Sequence, residues 1–183
     1  ILEQREEIIR IFSKDIRSIL KQAEVDFGQV QEVRLRIQSP LLIICSNQEY
    51  YLTTEGKKTG ATAENRKRAY EVTRADLKET LEYVSSYSLY AFEEELRQGY
   101  LTIQGGHRVG VAGKTIVEGN GIRGMKFISC MNVRLSHQIR GCADLVMPCI
   151  YRDGQLENVL IVSPPRCGKT TLLRILGGFE TPD

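Results

Sequence analysis

The chain has 183 residues, enough for one full domain and part of a second. Hydrophobic residues make up 42% and charged residues 26%, close to globular averages, which excludes a disordered or fibrous chain. The 25 basic and 23 acidic side chains leave a net charge of +2, so no global field points to nucleic acid or anionic lipid.

Residues 1–22 carry Ile8, Ile9, Phe12, Ile16, Ile19 and Leu20 at helical spacing, with Arg5, Lys14, Arg17 and Lys21 elsewhere around the cylinder. This predicts one amphipathic helix. Residues 30–37 then alternate strictly, Val33, Leu35 and Ile37 against Arg34 and Arg36, as in a half-buried strand. Pro40 ends it, and LLIIC, Asn47 and the YYL run predict a hairpin. From Thr53 to Arg68 the chain is polar and reads as a solvated loop, with a phosphate-binding patch at Arg66-Lys67-Arg68 as the alternative.

Thr73 and Asp76 form the [ST]-x-x-[DE] capping pattern and open a helix through Leu77, Leu81 and Val84. A second helix, near Ser88 to Gln98, ends at Gly99, which suits a left-handed cap. Residues 100–135 read as short strands, YLTIQ, HRVGVAG, TIV and FISCMNVRL, divided by Gly105-Gly106 and the Glu118–Gly121 turn. A short helical segment leads through Pro148 to the Asp153-Gly154 turn. Asn158–Val162, NVLIV, is then predicted as a continuous apolar strand of the kind buried in a parallel sheet.

The five cysteines, Cys45, Cys130, Cys142, Cys149 and Cys167, contain no C-x-x-C pair and are odd in number. Free thiols in a reducing compartment are expected, and zinc is not, because Cys142 and Cys149 are widely spaced and no histidine pair follows. No apolar run approaches the ~20 residues that span a bilayer. The chain opens on Ile1 without a secretory layout, and the expectation is a cytosolic protein clipped at both ends.

One motif carries strong chemistry. Residues 163–170, Ser-Pro-Pro-Arg-Cys-Gly-Lys-Thr, match the end of the G-x-x-x-x-G-K-[ST] phosphate loop, between the NVLIV segment and a TLLRIL helix. Loop amides and the helix N-terminus would converge on phosphates. Gly168 keeps a Cβ out of their way, Lys169 offers an ammonium to the β- and γ-phosphates, and Thr170 offers a hydroxyl to the Mg²⁺ that ATP brings. The nucleotide-binding set is thus Ser163, Pro164, Pro165, Arg166, Cys167, Gly168, Lys169, Thr170 and Thr171. Two positions depart from the pattern: Ser163 replaces the first glycine, and Arg166 stands where many such loops carry another. The alternative is a chance G-K-T with an exposed lysine.

The runs YLTIQGGHRVGVAGK, FISCMNVRLSHQIRG and VLIVSPPRCGKTTLLR resemble the stage III sporulation protein AA family of endospore-forming bacteria. That family resembles the secretion ATPases, which pair an N-terminal α+β domain with a RecA-like P-loop domain and assemble as rings. The resemblance implies an α+β domain over residues 1–150 and a truncated start of a RecA-like α/β domain over 151–183. It implies an ATP-dependent engine at the inner or forespore membrane, a homo-oligomeric ring that docks on membrane channel proteins. It also makes Arg108 and Arg134 candidates for phosphate contacts from the N-terminal domain; the alternative for each is a solvated strand arginine or a structural ion pair. His107 and His137 read as turn or surface residues.

No strand ending in Asp or Glu follows the loop, so the expectation is weak nucleotide binding, negligible turnover and no catalytic residue in this chain. A second reading is a non-enzymatic assembly or channel-docking module. A third, a transporter ATP-binding subunit, rests on the tail ILGGFETPD and conflicts with the late position of the loop. Nucleic acid as a partner is set aside: Arg34, Arg36 and residues 66–68 lack interleaved aromatics and a basic total.

Overall fold

The computed structural model describes residues 2–86, 93–118, 121–137, 143, 145–152, 155–164, 167–169 and 172–173. The chain divides into two compact units, Ile1–Ser136 and His137–Asp183.

The first unit is an α+β fold built on a seven-stranded antiparallel sheet. Its strands are β1 (Val30–Arg36), β2 (Leu42–Cys45), β3 (Gln48–Leu52), β4 (Lys58–Gly60), β5 (Tyr100–Ile103), β6 (His107–Glu118) and β7 (Gly121–Arg134), in the spatial order β4-β3-β2-β1-β7-β6-β5. The alternation predicted for residues 30–37 holds: Val33 and Leu35 are fully buried, while Arg34 and Arg36 take the other face. The β2–β3 hairpin turns on Ser46 and Asn47, at φ of 52° and 63°. Two left-handed residues match the twist of the flanking strands.

The first 22 residues do not form the single helix that their periodicity predicts. They form α1 (Leu2–Arg10) and α2 (Lys14–Gln22), and Ser13 caps the second by accepting from the Ile16 amide at 3.4 Å. Carbonyls left open at the break and at the end of α2 are satisfied by two arginines. Arg17 donates to Arg10 and Phe12 carbonyls, and Arg5 donates to those of Leu20, Lys21 and Ala23. Each of these guanidiniums lies over a ring, Arg5 on Phe27 at 5.0 Å and Arg17 on Tyr83 at 4.8 Å.

Helix α3 (Arg74–Val84) begins with the predicted capping box. Asp76 does more than cap. Its buried carboxylate accepts from the Ser13 hydroxyl at 2.6 Å, the Thr73 amide and hydroxyl at 2.8 and 2.7 Å, and the Tyr70 hydroxyl at 2.9 Å. One acid thereby ties the start of α2 to the start of α3. Burial by itself raises the Asp76 pKa, but hydrogen bonds from Ser13, Thr73 and Tyr70 outweigh it and leave the group below its ordinary value. Burial, then the bond to Asp76, holds the Tyr70 phenol well above its usual range.

Ile9, Phe12, Ile16 and Leu20 pack with Leu77 onto Val33, Leu35, Ile43, Val109 and Met131 to make one continuous core. Gly56 marks a close approach: at φ +76°, an added Cβ would lie 2.8 Å from the Ala23 nitrogen at the end of α2. Helix α4 (Glu93–Gln98) packs on β5 and β7, and Gly99 after it is left-handed at φ 83°, as expected. The predicted start of that helix, residues 88–92, lies outside the described residues. HRVGVAG and TIV merge into one strand, β6, and β7 likewise extends back to Gly121. The two long strands pair along their length, with irregularities at Gly113 and between Ile116 and Val117, so the predicted strand ends near Gly113 are bends within one hairpin.

The second unit contains α5 (Met147–Ile150), with Pro148 in its first turn, and a small hairpin of β8 (Tyr151–Arg152) and β9 (Gln155–Leu156). Residues 158–162 are not a strand, contrary to expectation. Leu160 is 86% exposed and Val162 81%. A parallel strand buried on both faces needs neighbours on both edges, and the described residues of this unit supply none.

Candidate functional site

The loop from Ser163 to Lys169 is organised around its lysine. Lys169 Nζ donates to the Ser163 carbonyl at 2.8 Å and the Pro164 carbonyl at 2.8 Å, and lies 3.2 Å from Ser163 Oγ. An ammonium with three donors is thus held over the loop by two carbonyls and a hydroxyl, with no carboxylate to neutralise it among the described residues. Gly168 precedes it at φ +81°, a conformation open to glycine and strained for any side chain. Its carbonyl accepts the Leu172 amide at 2.9 Å, which closes the first turn of a helix. A Cβ added at Gly168 would meet nothing within 4 Å among the described residues. A lysine that follows a left-handed glycine at a helix start is chemically suited to an anionic group.

Of the predicted nucleotide set, the structure brings Ser163, Pro164, Gly168 and Lys169 together and leaves Cys167 exposed. Pro165, Arg166, Thr170 and Thr171 lie outside the described residues, and with them the predicted Mg²⁺ hydroxyl. Among the described residues no group of histidine, cysteine and acidic side chains could hold a metal ion.

Arg108 and Arg134 sit in the first unit, directly opposite one another on β6 and β7. Like charges in that arrangement repel unless something intervenes. The neutralising group is Glu32 on β1, which flanks Arg134 on the side away from Arg108. Its carboxylate, 10% exposed, lies 3.5 Å from Arg134 Nε and 2.7 Å from Arg34 Nε, and Arg34 reaches on to Glu49 at 2.8 Å. The bond to Glu32 is the main cause of a raised Arg34 pKa. Arg108 has no ion pair or hydrogen bond among the described residues. Of the two facing arginines, Arg134, still 71% exposed, is thus engaged by Glu32, and Arg108 has no such partner among the described residues.

Glu32 was not singled out from the sequence, although a signal exists: in VQEVRLR it shares the alternating face of Arg34 and Arg36. His107 serves its turn, its Nδ1 accepting the Ser136 amide at 2.9 Å. The Arg66-Lys67-Arg68 run is solvent-exposed around a 3-10 turn at Asn65–Lys67, as a solvated loop should be. Among the described residues no helix is long and apolar enough to cross a membrane.

A family model for sporulation stage III, protein AA, matches residues 2–177. The chain belongs to that family. A curated relative, the stage III sporulation protein AA of Bacillus subtilis (strain 168), is 39% identical over 176 residues, or 96% of this chain and 52% of the relative. The chain thus spans about half the length of the relative that it matches. No solved structure matches. Membership extends the resemblance carried by the Gly-Gly-His-Arg-Val-Gly run to nearly the whole chain, the loop at 163–169 included.

Proposed function

We propose that this sporulation protein binds Mg·ATP through the loop at 163–171 and belongs to an ATPase that energises a transport channel between mother cell and forespore. The observation that carries the binding reading is the Lys169 ammonium, held on loop carbonyls beside a left-handed Gly168 at a helix start. Polyphosphate oxygens are stronger partners for that ammonium than neutral carbonyls, and the helix start adds its own positive end. Bound ATP would supply the phosphoryl group, and Lys169 would hold its charge while Ser163 and Pro164 shape the loop. Arg108, opposite Arg134, is a fixed cation suited to phosphate, supplied by the first unit.

Turnover by this chain alone is negligible in this reading, since among the described residues no acidic side chain stands at the loop to orient water or metal. The exposed apolar strip 159–162 becomes a buried strand when a longer protein supplies neighbours for it. Assembly as a homo-oligomeric ring, docked on channel proteins at the inner or forespore membrane, completes the proposal. A non-enzymatic docking module remains the second reading, favoured by the same exposed strip.

Titration calorimetry of the whole chain with Mg·ATP tests the binding. Saturable heat is expected from the wild type, and Lys169→Ala should weaken it by about tenfold or more, the loss of a charge-assisted contact. Binding that survives Lys169→Ala unchanged removes the assigned role of the loop.

A further inference from the structure

A cleft of about 320 Å³ lies between α3 and β7, well away from the arginine array on the opposite face of the sheet. Leu77 and Leu81 form its helix wall, and Ile37, Met125 and Ile128 form its strand wall. Arg74 and Lys78 stand at the rim, both exposed. None of the lining residues is acidic. Arg74 has no ion pair or hydrogen bond among the described residues, and Lys78 has only a loose, exposed pairing with Glu82 at 3.9 Å. The nearby acid Asp76 is already committed to Ser13, Thr73 and Tyr70.

The mouth of the cleft is shaped by an unusual backbone. Ala112 pairs with Cys130 and Lys114 with Lys126, so Gly113 alone faces the three residues Phe127–Ser129. Only a glycine fits, because an added Cβ would lie 2.8 Å from the Lys126 carbonyl oxygen and 2.9 Å from the Ile128 Cα. Inside this bulge Phe127 adopts φ 50°, an outlier for an aromatic residue. The bulge lets Met125 and Ile128 pack on the core but leaves Phe127 71% exposed beside the cleft. A large ring kept in water by a costly backbone is poorly explained by this unit's own stability.

We propose that this cleft docks an acidic amphipathic helix of a partner protein. Apolar side chains of that helix fill the cleft against Phe127, and its carboxylates meet Arg74 and Lys78. An apolar floor selects an apolar face, and a rim of two under-neutralised cations selects acidic flanks. The proposal is independent of nucleotide binding.

The test is fluorescence anisotropy on the whole chain with two labelled synthetic helical peptides, about four turns long. They share a leucine face and differ only in carrying Glu or Lys on the polar face. The Glu peptide is expected to bind saturably, at least about tenfold tighter than the Lys peptide. The double change Arg74→Glu, Lys78→Glu should reverse that preference, and Phe127→Ser should weaken both peptides while the thermal midpoint stays within a few degrees. Absence of saturable binding, equal binding of the two peptides, or a preference untouched by the rim reversal would overturn the proposal.

Discussion

Two apolar runs of nearly the same composition meet opposite fates in this molecule. LLIIC, residues 41–45, supplies β2 from Leu42 on, with Ile43 1% exposed and paired to Val33 and Tyr50 on either side. NVLIV, residues 158–162, stays unpaired, with Leu160 86% exposed. β-Propensity favours both. The difference lies in neighbours: the first run finds β1 and β3 within a few residues along the chain, at small loop-closure cost, and the second finds no partner edge among the described residues of its unit. Strand formation is thus a property of the surroundings as much as of the segment.

The sharpest way to press that contrast is to empty the core that supports the first run. Phe12→Ala removes a fully buried ring beneath the sheet and should cost about 3–5 kcal/mol, read as a lower urea midpoint. A loss under about 1 kcal/mol would mean that α1 and α2 are not integral to the sheet's stability.

Asp76→Asn should follow at about 2–3 kcal/mol near neutral pH, because an amide cannot accept all four bonds that the carboxylate takes. The sign with pH is definite. The folded pKa is depressed, so the contribution is present above the unfolded value of about 3.9 and is lost as pH falls through the lower folded value. Denaturant midpoints between neutrality and strong acid should therefore fall less steeply in the variant. An unchanged acid limb would place the pH dependence on other carboxylates.

Leu160→Ala tests the other side of the comparison and should shift stability by no more than about 0.5 kcal/mol, since little surface leaves water at that position. A loss of several kcal/mol would show that the run is buried in solution.

Much of the first unit was legible because its signals are local. Thr73 and Asp76 name a helix start, Asn47 a hairpin turn, Gly99 a helix end, and the Val33-Leu35 alternation a strand, each through contacts a few residues apart. The candidate loop was legible for the same reason, its Gly168-Lys169 pair being read directly against the chemistry of phosphate. Less accessible were the features that need a distant partner. Ser13 looked like a polar residue within a helix until Asp76, 63 residues on, drew its hydroxyl and the helix broke there.

By itself, then, the sequence determined the family, the short-range caps and turns, the faces of β1 and the place of the lysine loop. All of these follow from side-chain type and from spacings shorter than a helical turn or a hairpin. Tertiary structure decided that Arg134 is engaged, through the burial of Glu32 beside it. It decided that β6 and β7 run as one bulged hairpin with Phe127 outside. It also decided that Asn158–Val162 remains in water, since an apolar run is buried only when other segments arrive to cover it.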